Sequence, residues 1–265
     1  MDLNLQGRKV LITGAADGIG RSLALDFAAQ GAQVAGCARS VPRLNALATE
    51  IEGDGHLFHP ADMTQVKEIQ AFYDKVMETL GGLDILVNNV GSILNLKNFL
   101  DVSDEEWETS FQINLMSAVR MTRLCLPALR RSGAPRIINI SSVAANRPGT
   151  VFPHYSAMKA ALSNLTVSLA QTLAGDKILV NSVSPGPVWT RSWEKEARQA
   201  AETSGGDLSS TKRELESQTA QSLLLQRMGI PEDIAGLVLF LASDQAGWIT
   251  ASNFIVDGGL SQDPY

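Results

Sequence analysis

Short apolar runs alternate with longer amphipathic stretches almost from end to end of the chain, which is the rhythm of repeated βαβ units. The runs predict strands over residues 9–13, 33–37, 56–59, 84–88, 136–141, 178–184 and 253–256. Apolar positions at helical spacing predict helices over 19–30, 42–51, 64–80, 103–131, 153–174 and 231–242. Local signals mark several ends. Ser103 with Glu106 three residues on forms a capping box, Pro231 with Glu232 and Asp233 suits a first turn, and Thr64 stands where its helix should open. Gly31 and Gly81 suit helix stops.

Strands that recur with helices between them build a parallel sheet covered on both faces, and ligands then bind beyond the carboxyl ends of the strands. The fold class expected is α/β: a single doubly wound, Rossmann-type parallel sheet of seven strands with helices on both faces. Residues 1–265 form one domain on this reading, because no Pro-, Gly- or Ser-rich linker, internal repeat or low-complexity tract divides them. The stretch 188–226 breaks the rhythm with two tryptophans, many charges and the Ser204-Gly205-Gly206 break. It reads as a lid or substrate-facing excursion.

Composition narrows the partner more than the fold. With 265 residues, 45% hydrophobic and 19% charged, the chain is neither a disulfide-stapled scaffold nor a disordered segment. Its formal charge of −6 gives no electrostatic pull towards nucleic acid or an anionic membrane, so a small soluble molecule is the expected partner. Cys37 and Cys125 form no CxxC pair, and His56, His59 and His154 show no ligand spacing, so no metal is expected. The N-terminus lacks a basic segment followed by a long apolar core, and the longest apolar run, 234–242, is far below the roughly 20 residues of a membrane span. A cytoplasmic, unprocessed protein is the expectation.

Directly after the first strand, Thr13-Gly14-Ala15-Ala16-Asp17-Gly18-Ile19-Gly20 opens the first helix. Backbone can approach a pyrophosphate only where side chains are absent, and the helix N-terminus supplies N–H donors and a positive dipole end. The second strand should end at the ribose. A carboxylate there binds a 2′-hydroxyl, whereas an arginine suits a 2′-phosphate. No acidic residue occurs from Gln33 to Asn45, and Arg39 and Ser40 follow the strand, with Arg43 next. NADP is therefore favoured, with NAD as the alternative; Asp17 counts against by adding negative charge nearby.

Of Tyr73, Tyr155 and Tyr265, only Tyr155 has a lysine, Lys159, four residues on at the start of a helix. Both then project from one face, and the ammonium can favour the phenolate. Moving a phenol from about 10 to about 7 takes about 4 kcal/mol and would make it a general acid or base near neutral pH. Ser142, thirteen residues earlier, ends the fifth strand on the ligand side.

At this point the chain resembles the short-chain dehydrogenase/reductase family, from roughly Gly7 to Leu260. The motifs that carry the resemblance are the TGxxxGIG loop, Asp62, Asn88-Asn89-Val90-Gly91, Asn114, Ser142, Tyr155 with Lys159, and Pro185-Gly186-Pro187-Val188-Trp189-Thr190. It implies that Gly14, Ala16, Asp17, Gly18 and Ile19 hold the phosphates, with Arg39 and Ser40 at the ribose phosphate. Asp62 and Met63 would meet the adenine, Asn89 and Gly91 line the cofactor's middle, and Pro185, Gly186, Val188 and Thr190 face the carboxamide end. It further implies that Ser142 orients the substrate oxygen, Tyr155 exchanges the proton, Lys159 lowers the tyrosine pKa and holds the nicotinamide ribose, and Asn114 supports a water relay. Two departures stand out: Val90 replaces the usual Ala, and Ala251 replaces the usual Gly.

The expected activity is hydride transfer between NADP and a ketone or secondary alcohol, with a homotetramer or homodimer suggested by the same resemblance. Ile93, Leu94, His154, Trp189 and Trp193, together with Ser142, are the candidate substrate residues, an apolar and aromatic set that favours a hydrophobic carbonyl compound. The alternatives are a 3-oxoacyl carrier-protein reductase, an NAD-dependent alcohol dehydrogenase, and a nucleotide-sensing regulator without turnover.

Overall fold

The computed structural model describes residues 2–262, so Tyr265 lies outside the described residues. One sheet of seven strands runs through it in the order β3-β2-β1-β4-β5-β6-β7. The strands are β1 Lys9–Thr13, β2 Gln33–Ala38, β3 Leu57–Pro60, β4 Ile85–Asn88, β5 Arg136–Ile140, β6 Leu179–Pro185 and β7 Asn253–Val256. Every neighbouring pair is parallel. The order reverses between β1 and β4, which makes the crevice beyond their carboxyl ends the place where a ligand can enter between diverging loops.

Alternation within β1 separates two cores. Val10 and Ile12 point into a cluster with Leu23 and Phe27 of α1 (Gly18–Ala29) and, from a later helix over 231–242, Ile234 and Val238. Leu11 points the other way, into a cluster with Phe72 and Val76 of α3 (Val66–Leu80) and with Met121, Cys125 and Ala170. A period of two on a strand buried on both faces explains the near-continuous apolar run that the sequence shows. Between these helices, α2 (Val41–Glu50) follows β2.

Three local expectations need correction. The helix placed at 64–80 starts at Val66, because the Asp62 carboxylate takes both the Thr64 N–H and the Thr64 hydroxyl, at 2.9 and 2.8 Å, and holds Thr64 in a turn. The third strand begins at Leu57, since His56 Nδ1 instead accepts the Val34 N–H at 3.1 Å. The single helix expected over 103–131 is interrupted: α4 (Asp104–Phe111) passes through a π turn, Gln112–Met116, into α5 (Ser117–Leu129). The Ser103–Glu106 capping box, Pro231 in a first turn and Gly81 as a left-handed stop all form as the sequence indicates.

After α6 (Pro153–Leu173) and β6, the excursion consists of α7 (Arg191–Ser204) and α8 (Leu208–Ala220), with Gly205 in the left-handed turn between them. Its two feet are stitched together. Trp189 N–H donates to Gly229 O at 2.8 Å and Gly229 N–H to Pro187 O at 2.9 Å, just before α9 (Pro231–Ala242). No described helix is long and apolar enough to cross a membrane, and no described group of histidine, cysteine and acidic residues could hold a metal.

Candidate active site

The loop after β1 is shaped by close backbone contact. A Cβ on Gly20 would lie 2.2 Å from the Gly14 carbonyl oxygen, so only glycine lets the chain turn from β1 into α1. The opposite side of the turn is held by Asn89, whose Nδ2 donates to Thr13 O at 2.9 Å and Gly14 O at 3.2 Å. Asn89 is thus committed to the loop itself, and only its carbonyl oxygen remains for a ligand. Gly18 and Ile19 open α1, and Asp17 at the N-cap makes no side-chain capping bond, so the first-turn N–H groups have neither an intrahelical partner nor a side-chain cap. That is the donor set an anionic phosphate requires.

Around this loop stand the other expected cofactor residues. Arg39 follows β2, exposed and without a hydrogen bond or ion pair among the described residues. Ser40 is the N-cap of α2 and also makes no side-chain capping bond. Ala16 is buried, and Met63 is buried against the Cys37 thiol, 3.5 Å from its sulfur, which leaves its backbone rather than its side chain for an adenine. Asp62 spends its carboxylate on Thr64. Pro185 ends β6, Gly186 N–H donates to Val256 O, and the Thr190 side chain closes over Gly18, where a Cβ would meet its Cγ2 at 3.0 Å. Val188 is buried in an isolated parallel bridge to Gly229.

The second half of the site lies beyond β5. Lys159 is 2% exposed, and its ammonium donates to the Ile140 carbonyl at 2.7 Å and sits 5.7 Å from the centre of the Tyr155 ring. Gly91 lies opposite, and a Cβ there would stand 2.9 Å from Lys159 Nζ and 3.2 Å from Asn114 Oδ1. Asn114 occupies the π turn and is clamped by Ser92, accepting its N–H at 2.8 Å and donating to its carbonyl at 3.1 Å, with Ser110 below. Ser142 turns out of β5 and accepts the Ala144 N–H.

Charge and burial act on this cluster differently from the sequence expectation. Burial pushes the Tyr155 phenol above its ordinary value, while a Ser142 hydrogen bond, which favours the phenolate, pulls the other way. Burial also draws the Lys159 ammonium down to about 8. Desolvation is the largest effect on both groups, because each is buried and its charged form loses water. Neither cysteine is a nucleophile: both are free and buried, and burial holds Cys37 up at about 12 and Cys125 higher still.

The candidate substrate residues separate. Ile93 and Leu94 lie on the loop after β4, which touches the loop after β5 through Lys97 N–H to Val151 O at 2.7 Å. His154, one residue before Tyr155, is 1% exposed and packs edge-on against Trp107 of α4, with both ring nitrogens unpaired among the described residues. That is a core position against α4. Trp189 and Trp193 stack on each other at 6.2 Å, and the Lys212 ammonium lies over the Trp189 ring. Sequence reasoning missed Ser92 and Ser110 as the supports of Asn114, and Arg191 as a neighbour of Asp17. Only an asparagine within an otherwise apolar helical stripe hinted at the first.

Residues 14–261 match the family model described as enoyl-(acyl carrier protein) reductase. The chain is 38% identical over 261 residues to the uncharacterized oxidoreductase YvrD of Bacillus subtilis, covering 98% of each chain. It is 34% identical to the 3-oxoacyl-[acyl-carrier-protein] reductase FabG of Thermotoga maritima, over 97% of this chain and 99% of that one. Among solved structures, L-sorbose reductase from Gluconobacter frateurii, complexed with NADPH and L-sorbose, superposes with a TM-score of 0.92 at 31% identity, covering 99% of this chain and all of the other. The ligand-free aldohexose dehydrogenase of Thermoplasma acidophilum gives 0.87 at 29% identity, over 100% and 98% of the two chains.

Proposed function

Because the chain belongs to the short-chain dehydrogenase/reductase family, we propose that this oxidoreductase uses NADP(H) to interconvert a ketone and a secondary alcohol, with Tyr155 as general acid and base. The observation that carries the reading is the Lys159 ammonium, held between the Ile140 carbonyl, Gly91 and the Tyr155 ring. A buried cation fixed beside a phenol has no packing purpose, since an apolar side chain would fill the space without its desolvation cost.

The cofactor, when bound, supplies the hydride. In the direction of carbonyl reduction the protein's part is to place the carbonyl oxygen between the Ser142 hydroxyl and the Tyr155 phenol. The phenol gives up its proton as negative charge develops on that oxygen, and Lys159 stabilises the phenolate left behind. The raised pKa of Tyr155 keeps it in its donor form at neutral pH. Asn114, locked to Ser92, holds an amide at the back of Lys159 where a water chain can return the proton.

NADP is preferred over NAD on this reading because Arg39 presents a free guanidinium at the end of β2 and no carboxylate competes on that strand. Arg39→Ala should erase a preference for NADPH in binding, and an unchanged NADPH-to-NADH ratio would sink the assignment. For the substrate, a second reading is reduction of a 3-oxoacyl thioester, favoured by the Thermotoga relative; the sorbose and aldohexose enzymes favour a polyhydroxylated carbonyl. A panel of ketoses, 3-oxoacyl thioesters and apolar ketones, followed at the reduced-nicotinamide absorbance, separates the three. Tyr155→Phe should lose about 10³-fold in turnover while still binding cofactor. Equal behaviour of the two proteins, with tight binding and no turnover, would instead identify a nucleotide-sensing regulator. The two free cysteines suit a cytoplasmic setting, and a homodimer or homotetramer is the assembly to test by light scattering.

A further inference from the structure

Asp17 puts a carboxylate at the entrance to an anion-binding helix, where its charge opposes the ligand. It does not cap α1. Its Oδ2 atom instead accepts a hydrogen bond from Arg43 Nη1 of α2 at 2.9 Å, and Arg191 Nη1, from the first residue of α7, lies 3.9 Å from the same oxygen. All three side chains are between 40% and 55% exposed, so this ion triplet adds little to stability and can exchange partners readily. It borders a cleft of about 420 Å³ lined by Gly18, Arg21, Trp189 and Thr190, with Glu194 and Glu232 also on its wall. Arg43, in the first turn of α2, stands four residues after the free Arg39, which precedes that helix, so both arginines belong to the segment that leaves β2.

We propose that Asp17 is a cofactor-specificity residue that holds Arg43 away from the 2′-phosphate site, so that a phosphorylated dinucleotide binds by replacing one anion on Arg43 with another. This rests on the reading that the chain uses NADP(H). Ligand-free, the corner made by Arg39, Arg43 and Asp17 carries a net charge of +1, and the carboxylate competes directly with the incoming phosphate. Arg43 is then the second arm of a two-arginine clamp, and Asp17 sets how strongly the clamp discriminates NADPH from NADH. Arg191 lies farther from the same oxygen, at 3.9 Å, and is not an arm of the clamp.

The test measures dissociation constants for NADPH and NADH by tryptophan fluorescence quenching on the wild type, Asp17→Asn, Arg43→Met, the double variant and Arg39→Ala, with thermal melts to confirm folding. Asp17→Asn should tighten NADPH about five- to tenfold and NADH about twofold or less, raising the ratio, and the gain should shrink in high salt. In the Arg43→Met background the same change should leave the ratio within about twofold. If Asp17→Asn leaves the ratio unaltered, or raises it equally without Arg43, the clamp is overturned while a preference abolished by Arg39→Ala still supports NADP. If the wild type binds NADH as tightly as NADPH and Arg39→Ala changes nothing, the NADP reading itself has failed and the clamp with it.

Discussion

Asn114 and Ser92 are joined by a reciprocal pair of hydrogen bonds, Ser92 N–H to Asn114 Oδ1 at 2.8 Å and Asn114 Nδ2 to Ser92 O at 3.1 Å. The pair ties the loop after β4 to the π turn between α4 and α5. It also presents the amide to the Lys159 pocket, where Asn114 Oδ1 shares the space over Gly91. Asn114→Ala leaves the Ser92 N–H and carbonyl without this partner. A loss of about 1–3 kcal/mol in denaturant unfolding is expected, since Ser92 is only half-buried and water can satisfy part of what it loses. Turnover should fall at least about tenfold. Wild-type stability in the variant would show that the amide supports nothing.

Gly91 faces the same pocket, and its replacement separates packing from chemistry. The Cβ of Gly91→Ala would crowd Lys159 Nζ, which donates to the Ile140 carbonyl and would have to shift from it. Overpacking of this kind costs about 1–3 kcal/mol. The expected result is a folded protein with kcat/KM reduced about 10- to 100-fold, equivalent to about 1.4–2.7 kcal/mol. Unchanged kinetics would mean that the ammonium is not confined there.

The buried ammonium also makes stability depend on pH. Burial lowers Lys159 to about 8 from its ordinary 10.5, so between those values the unfolded chain holds a proton that the folded chain has released. Stability from this group therefore rises as pH increases from about 8 to about 10.5, by about 3 kcal/mol in all. Below pH 8 the folded protein carries the buried cation at a cost. Unfolding curves of wild type and Lys159→Met at pH 7.5 and 10 should differ in slope by that sense. Parallel behaviour of the two proteins would contradict it.

Ala251 adopts a left-handed backbone, φ 59°, where its N–H donates to Val180 O at 2.8 Å beside β6. A side chain in this region costs about 1–2 kcal/mol, offset in part by the smaller entropy of the unfolded chain relative to glycine. Ala251→Gly should therefore raise the midpoint of thermal unfolding, with a net gain of about 0.5–1 kcal/mol and no change in activity. A lower midpoint would show that the methyl packs for more than the strain costs.

Much of this architecture was legible locally. Strand and helix positions follow from periods of two and 3.6 and from caps that act within a few residues, such as Ser103 on Glu106. The glycine loop, Ser142 and the Tyr155–Lys159 pair were legible for the same reason: each motif is short and its chemistry depends on residue type. The interrupted helix was not, because the π turn is held by Ser92, twenty-two residues away along the chain. Nor was the burial of His154 under Trp107, since an isolated histidine in a first turn carries no sign of which helix will cover it.

By itself, then, the sequence determined the order of strands and helices along the chain and the place of the glycine-rich turn between β1 and α1, and it offered Ser142, Tyr155 and Lys159 as the candidates for the proposed chemistry. These depend on interactions between near neighbours and on which side chains carry a proton, a charge or no Cβ. Only the tertiary structure decided that Lys159 is buried against Ile140, that Tyr155 is pushed towards its neutral form, and that Asp17 faces two arginines. Desolvation and long-range ion pairing depend on what the fold packs around a group, and no local pattern of residues specifies that.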